Sequence, residues 1–339
     1  MPQYAHFLSP FHHRRHSKAV FEIRPPRPYD RRSSLPDIVD MATFAEVHLR
    51  VDDTIKDYLE YPRANYREVA CREAIDELQR VNALALYANN AYSRIAFADI
   101  TLKHVLAEVG ILHGPRCFVT ITPARCALDL DDRRVPGRGL RSYRRRMSAA
   151  ANFKVHALQQ KARQAFGDLP FIGMVEAAFF PHWAASGWAA SDTVSWHCHL
   201  LAWGATREEL NGVLQPLRER HASIKEGVTS VHIQEVPDDD ILRQFVYALK
   251  APQKVYRTAY LRTTSRTQGL TGFDTRAWRI KKDLLRTGQR VRLLDVMAGR
   301  TLDKLLFGNR EGTDLAHAIC GEALKPYHAW KRRQPWFKH

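Results

Sequence analysis

Between residues 113 and 252 short apolar runs alternate with amphipathic stretches, and this alternation restricts the fold more than any other feature. Arg116 to Thr122 (RCFVTIT), Phe171 to Phe180 (FIGMVEAAFF), Val194 to Trp203 and Val228 to Val236 (VTSVHIQEV) read as strands. Leu140 to Phe166 carries Met147, Ala151, Val155, Leu158 and Ala162 in one stripe, as a long helix does. Thr206-Arg207-Glu208-Glu209 is a capping-box start for a helix with Leu210, Val213, Leu214 and Leu217. Pro237-Asp238-Asp239-Asp240 opens a last helix that runs to about Lys250 and is stopped by Pro252. The predicted order is β-α-β-β-α-β-α. Its one direct strand-to-strand step, through Pro181 to Thr193, is short enough for adjacent antiparallel pairing. The expected class is α+β, a central antiparallel sheet with helices covering one face.

The flanks read differently. Residues 1–40 are rich in Arg, His and Pro, with His12-His13-Arg14-Arg15-His16 and Pro25-Pro26-Arg27-Pro28, and read as a disordered basic arm. Residues 41–112 are predicted helical: Ala70, Ala74, Leu78, Val81 and Ala85 recur at helix-face spacing, and Ala96 to Val109 suggests a further helix. The C-terminal region, 253–339, starts with an expected polar basic linker to about 275, around Arg262-Thr263-Thr264-Ser265-Arg266-Thr267. Ala277 to about Leu324 is mostly helical in pattern, with Leu293, Leu294, Val296 and Met297, then Leu302, Leu305 and Leu306. From Lys325 the tail interleaves Tyr327, Trp330, Trp336 and Phe337 with Lys331, Arg332, Arg333 and Lys338. That mixture suits either single-stranded nucleic acid or a tail packed on its own domain.

Charge narrows the partner. Fifty-two Lys and Arg against 36 Asp and Glu give +16 over 339 residues, which favours nucleic acid first and an anionic membrane second. No apolar run is long enough to span a bilayer and no signal-peptide core stands near the start, so a cytoplasmic protein without a membrane role is expected. Five scattered cysteines without a Cys-x-x-Cys pair suggest neither a disulfide framework nor a zinc knuckle.

The third strand holds His197 and His199. Side chains alternate along a strand, so both imidazoles project from one face while Cys198 and Leu200 project from the other. Two neutral imidazoles can share a metal ion. At this histidine content roughly one His-x-His arises by chance, so the neighbours must decide. Glu176 sits among Val175, Ala177, Ala178 and Phe179, where an unpaired carboxylate is costly. It either pairs with a basic side chain or joins the histidines as a third ligand, a set that suits Mg²⁺ or Mn²⁺. His232 and Gln234 share a face of the fourth strand and are reserve candidates or surface, DNA-facing positions.

On the last helix Leu242, Phe245, Val246 and Leu249 form the apolar stripe. Arg243, Tyr247, Lys250 and Lys254 lie opposite, which places Tyr247 in a basic row. A tyrosine hydroxyl titrates near about pH 10 and is a poor nucleophile at neutrality; a neighbouring ammonium favours phenolate and stabilises a phosphodiester under attack.

In this order the residues resemble the HUH endonuclease superfamily, specifically rolling-circle replication initiators with one catalytic tyrosine. Phe118-Val119-Thr120-Ile121-Thr122 resembles the family's first, hydrophobic-Thr strand, and His197-Cys198-His199 with Leu200-Leu201 resembles its name-giving motif. Tyr247-Ala248-Leu249-Lys250 is similar to its Tyr-x-x-Lys motif. Cys198 replaces the usual bulky apolar residue, and the Glu176–His197 interval is longer than the family's. Over about residues 113–252 the resemblance implies an HUH nuclease domain. There His197, His199 and Glu176 bind the divalent ion, Mg²⁺ or Mn²⁺. Tyr247 attacks a phosphate in single-stranded or extruded DNA, leaving a 5′-phosphotyrosine and a free 3′-OH, and Lys250 assists. Arg243 stands where two-tyrosine members carry their second tyrosine, and Tyr256 and Tyr260 are poorer candidates. Arg141, Arg144, Arg145, Arg146, Arg243 and Lys254 are the expected DNA contacts. The function so implied is nicking and rejoining at a replication origin, as on a plasmid, with a host helicase or polymerase as a further partner and an oligomer allowed. A one-tyrosine transposase and a non-catalytic DNA-binding protein are the alternatives.

Overall fold

The computed structural model describes residues 38, 40–60, 70–108, 112–130, 148–182, 192–222, 229–264 and 271–334. Nearly all of the basic arm, Met147, the quartet Arg141, Arg144, Arg145 and Arg146, and Trp336, Phe337 and Lys338 lie outside the described residues. Strands β1 (Arg116–Ile121), β2 (Ala127–Asp129), β3 (Phe171–Phe180), β4 (Thr193–Trp203) and β5 (Val231–Glu235) come from the alternating segment. β6 (Lys254–Thr264), β7 (Thr271–Leu284) and β8 (Leu306–Asn309) follow. They form one sheet in the order β5-β1-β4-β3-β6-β7, with β2 also on β4 and β8 also on β3. The fold is α+β with an antiparallel-rich sheet; only the short β3–β6 bridge, Phe179 to Val255, is parallel. Among the described residues no helix is long and apolar enough to cross a membrane.

β3 and β4 pair as the short connection requires, and every residue of both strands is buried. Burial on both faces explains why β3 reads as a continuous apolar run rather than an alternating one. It also corrects the one-faced expectation, because helices lie on both sides. Helix α4 (Val155–Phe166) packs Phe166 on Phe171, on the face away from Glu176. Helix α7 (Ile241–Leu249) crosses the Glu176 face, where Tyr247 meets Phe118 and His199. The described helices of the N-terminal region, α1 (Met41–Glu60), α2 (Arg72–Leu78) and α3 (Ala91–Glu108), complete this layer. Phe44 of α1 and Leu102 of α3 belong to the same apolar core as the sheet.

Several predicted elements are shorter than expected because tertiary partners claim their carbonyls. The long helix from Leu140 is, in its described part, helical only from Val155. Before it, the Trp196 indole N–H donates to the Ala150 carbonyl, and the Arg300 guanidinium donates to the carbonyls of Ala151 and Phe153. The face predicted through Val81 and Ala85 ends at Leu78, and Val81 is 76% exposed. There Asn90 Nδ2 donates to the carbonyls of Glu77 and Arg80 and caps the helix. The capping box holds: Thr206 Oγ1 accepts from the Glu209 N–H and the Glu209 carboxylate accepts from the Thr206 N–H, opening α5 (Arg207–Val213). The single predicted helix divides there, since α6 (Gln215–Arg220) restarts with a proline in its first turn and Val213 stays exposed.

The C-terminal expectations need the largest revision. The predicted linker is strand: β6 pairs antiparallel with β7 along almost its whole length. Its Thr-, Tyr- and Val-bearing sequence suits a pleated ladder, and the high density of Lys and Arg masked that signal. Helices α8 (Thr287–Met297), α9 (Leu302–Leu305) and α10 (Glu311–Arg332) follow as expected, but β8 interrupts them and takes the free edge of β3. Gly308 and Gly312 permit this: a Cβ on Gly312 would lie 1.8 Å from the Phe171 carbonyl oxygen, so α10 can sit against the sheet only without one. Tyr327, Trp330, Lys331 and Arg332 lie on α10.

Candidate metal centre and tyrosine site

Register builds the site. Glu176 on β3 is the direct cross-strand partner of His197 on β4, and Thr120 on β1 is the partner of His199. All four side chains therefore project from one face. The imidazole Nε2 atoms of His197 and His199 lie 3.1 Å apart. Glu176 Oε2 lies 3.1 Å from His199 Nε2 and 3.7 Å from His197 Nε2. Adjacent ligands around an ion with bonds of about 2.1 Å are separated by about 3.0–3.4 Å, so His199 is spaced from each of the other two donors as one ion requires, while the Glu176–His197 separation is a few tenths of an ångström wider. The three residues are buried and can hold a metal ion.

Outer contacts orient the rings. His197 Nδ1 lies 3.3 Å from the Ser195 carbonyl, which can only accept, so the tautomer protonated on Nδ1 is held by this contact and offers its Nε2 lone pair to an ion. His199 Nδ1 lies 2.9 Å from Thr120 Oγ1. A hydroxyl both donates and accepts, so Thr120 supports His199 whether its Nε2 donates to Glu176 or offers a lone pair to an ion. Burial above all, helped by the positive charges of His197 and Lys250 and opposed by Glu176, lowers His199 to a pKa of about 4, which keeps its ring neutral at pH 7.

Glu176 is placed for both of its expected roles, beside the histidines and in an ion pair. Lys250 Nζ donates to Oε1 and Oε2, each at 2.9 Å, in a buried ion pair. Burial alone would raise the Glu176 carboxyl, but the Lys250 ammonium and the two histidines together hold it well below the usual carboxylate range.

Lys250 also carries the main correction to the site. The expected row Arg243–Tyr247–Lys250–Lys254 presumed one continuous helix, yet α7 ends at Leu249. Lys250 is extended (φ −61°, ψ 152°), Ala251 and Pro252 follow, and Lys254 opens β6. Leaving the helix turns Lys250 inward to 8% exposure, where its ammonium stands 4.1 Å from the Tyr247 ring centre. Tyr247 itself is where the periodicity put it, on the side opposite the buried stripe and 36% exposed. Its ring centre is 5.4 Å from that of His199 and 6.0 Å from that of Phe118. Arg243 is exposed and forms an ion pair with Asp240. His232 and Gln234 lie exposed on β5, and His232 is opposite Thr120, so they extend the same sheet face toward solvent. They are not part of the metal-binding group.

Three supporting groups gave no local signal. Arg94 of α3 is buried and donates from Nη1 to the Leu249 carbonyl at the end of α7. His48 of α1 accepts from the Ala251 N–H. Tyr256, set aside as lying beyond Pro252, stacks on Phe180 at the end of β3, with burial raising its hydroxyl pKa. Their sequence distance from the motifs hides them; only the packing of α1, α3 and β6 on α7 and β3 brings them close. Comparisons with protein-family models, curated proteins and solved structures find no match to this chain.

Proposed function

We propose that the chain is a rolling-circle replication initiator of the HUH endonuclease type, using one tyrosine to nick and rejoin single-stranded or extruded origin DNA. The observation that carries this reading is the convergence on the Glu176–His197–His199 cluster of Tyr247, from α7, and Lys250, from the turn that follows it. A structural histidine pair has no need of a half-exposed tyrosine beside it.

His197, His199 and Glu176 would hold Mg²⁺ or Mn²⁺, which when bound polarises the scissile phosphate and orients it for in-line attack. Tyr247 is accessible to a strand lying across the site. Its oxygen attacks phosphorus, the P–O3′ bond breaks, the phenolic proton passes to solvent, and the departing 3′-oxygen takes a proton from solvent. The products are a 5′-phosphotyrosine and a free 3′-OH. Attack of a 3′-OH on the phosphotyrosine reverses the step and rejoins DNA. Lys250 holds a positive charge between Glu176 and the tyrosine ring, where it stabilises negative charge building on the phosphate. The excess of 52 Lys and Arg over 36 Asp and Glu supports a DNA substrate.

Incubation of the protein with a single-stranded oligonucleotide library and Mn²⁺ tests the reading. A covalent adduct is expected with wild type and none with Tyr247→Phe. A folded, metal-bound wild type that forms no adduct, or a Tyr247→Phe protein that does, refutes it. DNA affinity should also fall steeply with salt, as several phosphate contacts require; a flat response would argue against the basic surface.

A further inference from the structure

Next to the chain segment that carries Lys250, α1, α3, α8 and the Ala251-Pro252 turn line an open pocket that shares no residue with the metal cluster. Its walls are mainly apolar, but Arg94, Arg290, Asp52 and His48 also face it. Three of these four are occupied. Asp52 Oδ2 accepts from the Ala91 N–H at 2.8 Å, and His48 accepts from the Ala251 N–H at 2.9 Å. Arg94 spends Nε on the Ala88 carbonyl and Nη1 on the Leu249 carbonyl.

Arg290 is the exception. Its Nε is shielded from solvent and has no hydrogen-bond partner, and no carboxylate among the described residues pairs with it. Burial alone lowers its pKa, to about 10, with no opposing acid. The side chain as a whole is only half-buried, so its Nη donors, which bond no group among the described residues, stay open to an anion that would complete their hydrogen bonds. The rest of the pocket does not supply them. His48 is held neutral by burial, at about 3, and burial raises Asp52 to about 7, so its carboxylate is only partly charged at neutrality. The pocket is therefore net positive, with Arg94 and Arg290 against one weakened acid.

We propose that this pocket is a binding site for a small phosphate-bearing anion, held chiefly by the guanidinium of Arg290. A planar guanidinium matches a phosphate's oxygens with paired N–H donors, which an ammonium cannot do. The site is distinct from the metal cluster but mechanically joined to it. Arg94 and His48 line the pocket and also bind Leu249 and Ala251, the two neighbours of Lys250 in the chain. An anion here would stiffen the segment that aims Lys250 at Glu176, making the pocket an effector site.

Calorimetric titration of the metal-free protein tests this without any need for catalysis. Inorganic phosphate and a deoxynucleoside 5′-monophosphate are titrated separately into wild type, Lys250→Gln, Arg290→Leu and Arg290→Lys. Wild type and Lys250→Gln should each take up one equivalent saturably, since the site does not use the lysine. Arg290→Leu should abolish uptake, and Arg290→Lys should weaken it at least about ten-fold because the fork is lost. Tighter binding of the mononucleotide than of phosphate assigns the apolar walls to a nucleoside; equal binding assigns the site to the free oxyanion. Absence of saturable uptake by wild type overturns the proposal, as does wild-type affinity in Arg290→Lys, which also serves if Arg290→Leu fails to fold. Loss of uptake in Lys250→Gln overturns it too, by moving the anion to the tyrosine site.

Discussion

The two faces of β4 share a backbone, a register and complete burial, yet they are built for opposite purposes. Trp196 and Cys198 point one way. Phe153 stacks on the Trp196 ring at 5.4 Å, Arg300 covers it at 4.3 Å, and burial raises the Cys198 thiol far above its ordinary pKa. That face is packing with a single satisfied indole N–H. His197 and His199 point the other way, into a cluster whose members satisfy one another and leave the donor atoms facing a common point. Burial therefore does not distinguish structure from chemistry in this strand. What distinguishes them is whether the buried polar atoms are consumed by the fold or directed at a shared centre.

The comparison can be broken by substitution. Trp196→Ala should cost about 3–5 kcal/mol of unfolding free energy in denaturant titration. His197→Ala should cost clearly less while abolishing metal uptake and adduct formation. Equal losses of stability from the two would mean that the histidine face is also mainly packing.

Lys250→Met sharpens the contrast by leaving the Glu176 carboxylate buried without its ammonium. The metal-free protein should lose about 3 kcal/mol, and the double variant Glu176→Gln/Lys250→Met should lose less than the single one. Added Mn²⁺ should return part of the stability to Lys250→Met, because a cation at the cluster replaces the missing charge. A double variant no more stable than the single one would show that the ion pair is not the main partner of Glu176.

The smallest expected effect concerns pH. His199, within the cluster, and His48, beneath α7, are held mainly by burial at about 4 and about 3, against an ordinary 6.5. A histidine depressed on folding contributes stability that is present above 6.5 and lost as the pH falls toward its folded value. Asp52 acts oppositely, since burial raises it to about 7 from 3.8; its contribution is complete below 3.8 and lost as pH rises through 7. Between pH 6 and 5 each histidine costs about 1.4 kcal/mol per pH unit, and Asp52 returns about one such share. Asp52→Asn keeps an acceptor for the Ala91 N–H and removes that return. The slope of unfolding free energy against pH over this window should then roughly double. An unchanged slope would mean that Asp52 stays ionised in the fold.

Much of this is legible in the sequence itself. Period-two alternation set His197 and His199 on one face, and the short step from β3 to β4 placed Glu176 beside them, because antiparallel neighbours present opposed residues to the same side. The 3.6-residue period set Tyr247 opposite the stripe of Leu242, Phe245, Val246 and Leu249. These are properties of local backbone geometry, and local geometry is what a sequence pattern encodes. The inward turn of Lys250 was not legible, since it depends on where α7 ends. Nor were the supports given by Arg94 and His48, the strand pair at 254–284, or the arrival of β8 at β3. Each of those depends on which distant segment reaches a free carbonyl, an open sheet edge or a buried charge first. Only the folded chain, with every buried polar group seeking a partner, decides that.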